Sequence, residues 1–496
     1  MASNNKKKQK NMKASKKGVI ITTLVVTVLA LAAIAYIIYF TGLLPRVVPG
    51  MEVVKTAEDG STSTIEKISV LEVNYHTRQV MSSYNISYEM WDEVADTVTG
   101  KTYGDYVLEI AADEIKNCVV INNAAEAAGY DDHGGARRYA EAMLENATMY
   151  AQFSNVTNDQ YLAGIYGTGM TTRLFISCTE RMALTSEYES FVQQFVNAPS
   201  NEQIQATFDE NPGAFQKADF SYRLFQIGEN DGQYATVEDA QAAADKVIAT
   251  LDSSDELTAE VFADAVIDVV GEDSPELQGL QEGTTPYYYQ NYANSMGYIS
   301  VDVNDYVFAA ENEAGAYTTI ATENGVYVIL VIDKYVDETP TYAYRVCSMY
   351  LVNNGGDFQA AVDAGNAFVA NPTDALGFDQ FVKENTVYPN EILTGGYYEG
   401  ITEENFATSE ADIDIAMFNW ISDPARKEGD MTVLTSADQS TVRVVYFERC
   451  TPRWMQTCRT QARAALSQQW RSELFTENIT YVISAEMIQK LTYGNR

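Results

Sequence analysis

Apolar positions recur at helical spacing through the first part of the chain and give way to short alternating runs after residue 211. Val107, Ile110, Ala111, Ile115, Cys118 and Val119 lie on one stripe of a 3.6-residue period, and Gly129 stands where such a helix should stop. Ser200 followed three residues later by Gln203 reads as a capping box opening another helix. Residues 65–212 are therefore expected to form a helical lobe. Pro212 and Gly213 break the pattern. Phe220, Tyr222, Leu224 and Gln226 then alternate with Ser221, Arg223, Phe225 and Ile227, as in a strand with both faces partly covered. Helical stretches at 237–251 and 258–269 follow, and NGVYVILVIDKY at 324–335 is dense enough in β-branched residues to be a central strand.

The order then repeats. YRVCSMYL at 344–351 corresponds to YRLFQI at 222–227; helical stretches at 358–370 and 376–384 come next; TVRVVYF at 441–447 closes the second unit. Gly315 and Gly429 mark a turn shortly before each closing strand. A duplicated unit of about 110 residues accounts for this most economically, with copies at 216–336 and 340–450. The tail, 451–496, reads as a helix with Trp454, Cys458, Ala462, Leu466 and Trp470 on one stripe. Its arginines, Arg453, Arg459, Arg463 and Arg471, are expected to pair with the acidic surface beside them.

Ahead of the lobe, the 28 residues between Lys17 and Arg46 carry no charge, and VIITTLVVTVLALAAIAYIIY at 19–39 is long enough for a bilayer, which takes about 20 apolar residues. Seven lysines precede it, so residues 1–17 read as a cytoplasmic basic tail, 18–44 as a single transmembrane anchor and 45–64 as a polar stalk, with the bulk of the chain outside the cytoplasm. A cleaved signal peptide is the rival reading; the stretch is longer than a signal core and no convincing small-residue cleavage site follows it.

Charge narrows the functional classes. The formal net charge is -36, and after residue 51 there are 25 basic residues against 69 acidic ones, so the bulk of the chain repels phosphate backbones and nucleic-acid binding is excluded as a working hypothesis. A hydrophobic fraction of 46% supplies enough apolar material for real cores. Cys118, Cys178, Cys347, Cys450 and Cys458 are too few and too scattered for a disulfide scaffold. Cys347 and Cys450 fall in one unit and are able to meet, with buried small hydrophobes as the plainer reading.

Other chemistries lack their marks. Gly100, Lys101 and Thr102 resemble the end of a phosphate loop, but Ala95 stands where its first glycine belongs. His133 beside Asp131 and Asp132 reads as a solvated turn rather than a metal site. No HExxH or GxSxG pattern occurs. No cofactor or metal is expected, and nothing in the sequence sets an oligomeric state.

An apolar segment, a helical lobe and two small α+β units, in that order, resemble the SurA/PrsA-type extracytoplasmic foldases, which carry parvulin-type prolyl isomerase domains. YLAGIYGTGMTT at 161–172 resembles a segment of their N-terminal lobe; NEQIQATFDENPGAF at 201–215 resembles the lobe's last helix running into the first isomerase-like unit; RKEGDM at 426–431 resembles the turn before the closing strand. The resemblance covers residues 65 to 450 and implies a multidomain α+β fold: single transmembrane helix, helical chaperone lobe, two parvulin-like domains and a C-terminal helix. It implies a bacterial cell-membrane protein that binds unfolded or extended polypeptide clients. An active prolyl isomerase and a structural envelope adaptor are the alternatives.

Parvulins set two histidines across their sheet from one another, whereas the only histidines here, His76 and His133, lie in the helical lobe. The positions that the resemblance makes equivalent are Leu224 and Tyr327 in the first unit and Val346 and Arg443 in the second. Peptide binding without catalysis is the implied role, with Phe225, Tyr327, Cys347 and Arg443 as candidate contacts and no assigned catalytic residue.

Overall fold

The computed structural model describes residues 26–34, 36, 42–228, 233–278, 280–281, 283–293, 300–352, 356–407, 409, 411–476 and 478–489. The folded part opens not with a stalk but with a hairpin. Strand β1 (Pro49–Thr56) pairs with β2 (Thr62–Ser69), and a strand from the far end of the chain, β11 (Ile479–Ile483), pairs with the other edge of β1. Met51, Val53 and Ile68 point inward against Val70, Val73, Ala112, Ile115 and Val119. Residues 51–64 look like a stalk because only these few positions are apolar, which is all that a sheet with one wet face requires.

Helices α1 (Val70–Ser83), α2 (Tyr103–Ala128), α3 (Gly135–Phe153), α4 (Asn158–Tyr166), α5 (Thr172–Phe191) and α6 (Asn201–Glu210) complete the lobe. Their ends follow local chemistry. Thr102, Thr157 and Ser200 cap α2, α4 and α6 through capping boxes, and Gly129 ends α2 in the left-handed conformation. Thr102 with Lys101 is thus a helix cap, Lys101 being paired with Glu109 at 2.7 Å, and not part of a phosphate loop.

The expected transmembrane anchor is overturned: among the described residues no helix is long and apolar enough to cross a membrane. Of the stretch assigned to it, residues 26–34 are helical, while 18–25, 35 and 37–41 lie outside the described residues, as does the basic tail at 1–17. The fold is a multidomain α+β architecture of helices and antiparallel sheets. With the anchor go the single-pass cell-membrane location and the membrane as a partner.

Two four-stranded sheets follow the lobe, each with its own helices. In the first unit β3 (Gln216–Gln226) leads to α7 (Val237–Asp252), α8 (Ala259–Val270), β4 (Tyr288–Tyr292), α9 (Val301–Phe308), β5 (Tyr317–Thr322) and β6 (Gly325–Val336). In the second, β7 (Pro340–Leu351) leads to α10 (Phe358–Val369), α11 (Ala375–Asn385), α12 (Pro389–Thr394), β8 (Tyr397–Ile401), α13 (Asp412–Ile421), β9 (Met431–Thr435) and β10 (Thr441–Pro452). The sheet orders are β4-β3-β6-β5 and β8-β7-β10-β9. In both, the first and last strands of the unit lie side by side at the centre, the next-to-last strand covers one edge and the short middle strand the other. Each central pair buries both faces. In the first sheet Phe225, Val326, Val328 and Leu330 face α7 and α8, and Phe220, Tyr327, Ile329 and Val331 face α9. That two-sided burial is why these strands read as unbroken apolar runs.

Helix α14 (Arg453–Leu474) returns the chain to the lobe. Cys458 and Trp454 pack on Ile204, Phe208 and Phe215, and Trp470 meets Tyr188 edge-on at 6.1 Å. All five cysteines are free; Cys347 is buried opposite Val444 while Cys450 is exposed opposite Tyr342, so these two do not form a disulfide.

Candidate binding cleft

The two positions singled out in the first unit come together. Leu224 on β3 stands directly opposite Tyr327 on β6, and both line a cleft of about 280 Å3. Its wall is aromatic. Tyr222 lies 4.5 Å from Tyr289 and 6.1 Å from Tyr327, centroid to centroid, with Tyr287, Pro286, Leu277 and Leu280 closing the rim. Alternation along β3 and β6 explains the convergence: Tyr222 and Leu224 project from the face that packs on α9, as Tyr327 does. Burial raises the pKa of the Tyr327 phenol, with the Asp302 carboxylate adding to it, so the hydroxyl stays protonated at neutral pH.

One ion pair lies at the mouth of the cleft. Arg223 reaches Glu276 at 2.6 Å, and the Tyr287 hydroxyl donates to the same carboxylate at 3.0 Å. Tyr287 adopts a left-handed backbone, φ 61°, which a bulky residue rarely accepts. Burial, and then the Glu276 charge, raise its phenol pKa. The cleft thus offers flat apolar faces edged by protonated hydroxyls and one salt bridge. Among the described residues that line it there is no nucleophile paired with a base and no imidazole.

The remaining candidates are placed differently. Phe225 points to the opposite face of the first sheet and is fully buried against α7 and α8. Cys347 is fully buried in the second unit among Phe378, Val382 and Val444. Val346 and Arg443 are not register partners: Val346 faces Val445, and Arg443 faces Ser348 beside a bulge. Arg443 binds Asp414 on α13 at 2.6 Å. Although burial works against its charge, hydrogen bonds from Arg443 and Ser409 hold the Asp414 carboxyl below the usual range. His76 is buried in the lobe with its Nδ1 3.6 Å from Glu114, and His133 occupies a left-handed turn before α3. Among the described residues no group of three His, Cys, Asp or Glu side chains could hold a metal ion.

Tyr287 and Glu276 escaped the sequence reading because they lie in the segment between α8 and β4, and Tyr289 because it sits on the short edge strand β4. A signal was present in the run of three tyrosines at Tyr287, Tyr288 and Tyr289. A larger cavity of about 390 Å3 lies in the lobe and is closed on one side by α12 of the second unit; its lining includes Tyr75, Met143, Tyr161, Phe175, Met182 and, from α12, Leu393. No charged side chain is among the described residues that line it.

No family model matches this chain, and no curated protein matches it. The described residues lend no support to the unfolded or extended clients expected from the resemblance.

Proposed function

We propose that this chain is a duplicated, histidine-less relative of the parvulin-type proteins, in which the first unit binds a proline-bearing loop of a folded partner and does not isomerise it. The observation that carries this reading is the pairing of Leu224 with Tyr327 at the floor of a tyrosine-walled cleft. Aromatic-lined grooves take proline because its ring is already fixed in φ and stacks flat on aromatic faces at little entropic cost. The resemblance puts imidazoles where this aliphatic and phenol side chain stand, so the polar network that accompanies catalysis in that family has no counterpart here.

Peptide-observed exchange NMR on a tetrapeptide with a central proline tests binding and catalysis together. The proline signals should broaden on addition of the full-length protein and recover when Tyr222→Ala replaces it. The cis/trans exchange rate should stay at its uncatalysed value of tens to hundreds of seconds. No broadening would reject the binding role, and accelerated exchange would show the unit to be an enzyme.

A further inference from the structure

Helix α14 carries Arg459 and Arg463 one turn apart, and they approach the end of β10, where Arg449 stands. Facing them is the edge strand β8 with Tyr397 and Glu399. Glu399 receives both neighbours: Arg449 at 2.9 Å, and Arg463 through two nitrogens, one of them at 3.1 Å. The Tyr397 hydroxyl donates to the same carboxylate at 2.7 Å and accepts from Arg449 at 2.6 Å. Arg449 also touches Glu448 at 3.2 Å, but that carboxylate is held more closely by Arg345 at 2.6 Å. Asp379, 3.8 Å from Arg345, is committed to Lys383 at 2.7 Å.

Three guanidinium groups, those of Arg345, Arg449 and Arg463, therefore share the two glutamates Glu399 and Glu448. Arg459 is left over: among the described residues it makes no ion pair and no hydrogen bond, and its Nε is buried without a partner, as are those of Arg449 and Arg463. Burial, and then the charges of Arg449 and Arg463, lower its pKa, although an arginine stays charged at any ordinary pH. An excess of half-buried positive charge is costly without a counter-ion. It is also conspicuous in a chain whose net charge is -36 and which had acidic residues in abundance to place there.

We propose that Arg459, with Arg449 and Arg463 beside it, forms a binding site for an oxyanion, a carboxylate or a phosphate group, at the junction of strand β8 and helix α14. Guanidinium groups suit both ligands because their planar fork matches two oxygens at once. Glu399 does not fill the site, since its charge is shared between Arg449 and Arg463. The location matters mechanically. Strand β8 belongs to the second unit, and α14 packs on the lobe, so a bound anion would tie the two together.

Calorimetric titration of the full-length protein tests the site with three probes: inorganic phosphate, a dipeptide with a free C-terminal carboxylate, and the same dipeptide as its amide, all at matched chloride ionic strength. Phosphate or the free carboxylate should bind, Arg459→Gln should weaken that binding roughly tenfold or more, and the amide should not bind. Binding of phosphate alone would assign the site to phosphate groups, and binding of the free dipeptide alone would assign it to a chain terminus or acidic side chain. Arg459→Lys, which keeps the charge but loses the fork, should fall between wild type and Arg459→Gln, and it carries the test if the glutamine variant does not fold. Equal binding by wild type and both variants, or no binding of either anion by wild type, would overturn the proposal.

Discussion

The two sheet-and-helix units share a strand order, a tyrosine-arginine step on their first strands and an aromatic pair between first and middle strands, yet they treat these features in opposite ways. In the first unit Tyr222 pairs with Tyr289, and Arg223 meets Glu276 at the mouth of an open cleft. In the second, Tyr344 stacks on Tyr398 at 5.4 Å but is only 4% exposed, and Arg345 is 1% exposed, bonded to Glu448 and placed 4.9 Å from the ring of Phe195 in the lobe. The segment before the middle strand differs as well. Glu276 reaches out to an arginine, whereas Glu391 is buried and accepts from the Ser348 amide at 2.8 Å and hydroxyl at 2.6 Å. Further polar links hold the second unit to the lobe, from Lys383 to the Tyr130 hydroxyl at 2.7 Å and from Arg138 to the carbonyls of Lys383 and Thr386. One unit has spent its polar groups on docking, and the other has kept them beside a cleft. The same fold serves as a fixture in one place and as a candidate binding surface in the other.

The largest expected effect separates the two arginines. Arg345→Ala removes a fully buried guanidinium from between Glu448 and Asp379, leaving Glu448 only its longer contact with Arg449, and should cost about 3 kcal/mol, read as lost hydrogen-exchange protection in α11 and β8. A loss no larger than that of a surface pair would show the second unit to be as loosely held as the first. Next come the tyrosines. Tyr344→Ala empties a buried aromatic site and should cost about 3 kcal/mol, whereas Tyr222→Ala should cost about 1 kcal/mol while abolishing proline-peptide binding. Equal denaturant midpoints for the two variants would erase the contrast.

Smaller effects probe the docking face by pH. Glu187 on α5 is fully buried, and neither carboxylate oxygen is hydrogen-bonded among the described residues. Burial pushes its pKa up to about 9 despite the nearby Lys383 charge, with Asp132 and Asp379 adding to the rise. In the unfolded chain a glutamate ionises near ~4.3, so the folded state holds the extra proton between these values and stability falls as pH rises through that window. Glu187→Gln should flatten this fall by about 1–2 kcal/mol, measured as urea midpoints from mildly acidic to alkaline pH; an unchanged slope would remove Glu187 from the account. Glu399 carries the opposite sign. Burial opposes its charge, but Arg463 and Tyr397 hold its pKa at about 2, so its contribution is present at neutral pH and is lost as pH falls through the acid range below the unfolded value. The smallest change is expected from Arg223→Ala, under about 1 kcal/mol of stability, with any larger loss showing that the cleft mouth is structural.

Local chemistry was legible wherever a few adjacent residues decide it. The caps at Ser200 and Gly129, helix α7, which runs one residue past the stretch read at 237–251, and the β-branched strand at 325–336 all follow from nearest-neighbour sterics and hydrogen bonding. The facing of Leu224 and Tyr327 was approachable because the first and last strands of a unit can be matched by pattern. Phe225 shows the limit, since one residue's change of parity moves a side chain from cleft to core.

The sequence by itself determined the helices, the central strands, the repeated order of elements and the absence of histidines beyond the lobe, because propensity, capping and composition act over a few residues. Only the tertiary structure decided that β11 closes a sheet with β1, that Tyr289 and Glu276 join Tyr222 at one cleft, and that Arg459 is left without a carboxylate among the described residues. Those outcomes depend on pairings between residues tens to hundreds of positions apart. Such pairings are settled by which apolar faces and charges can be satisfied at the same time, and no local pattern records that balance.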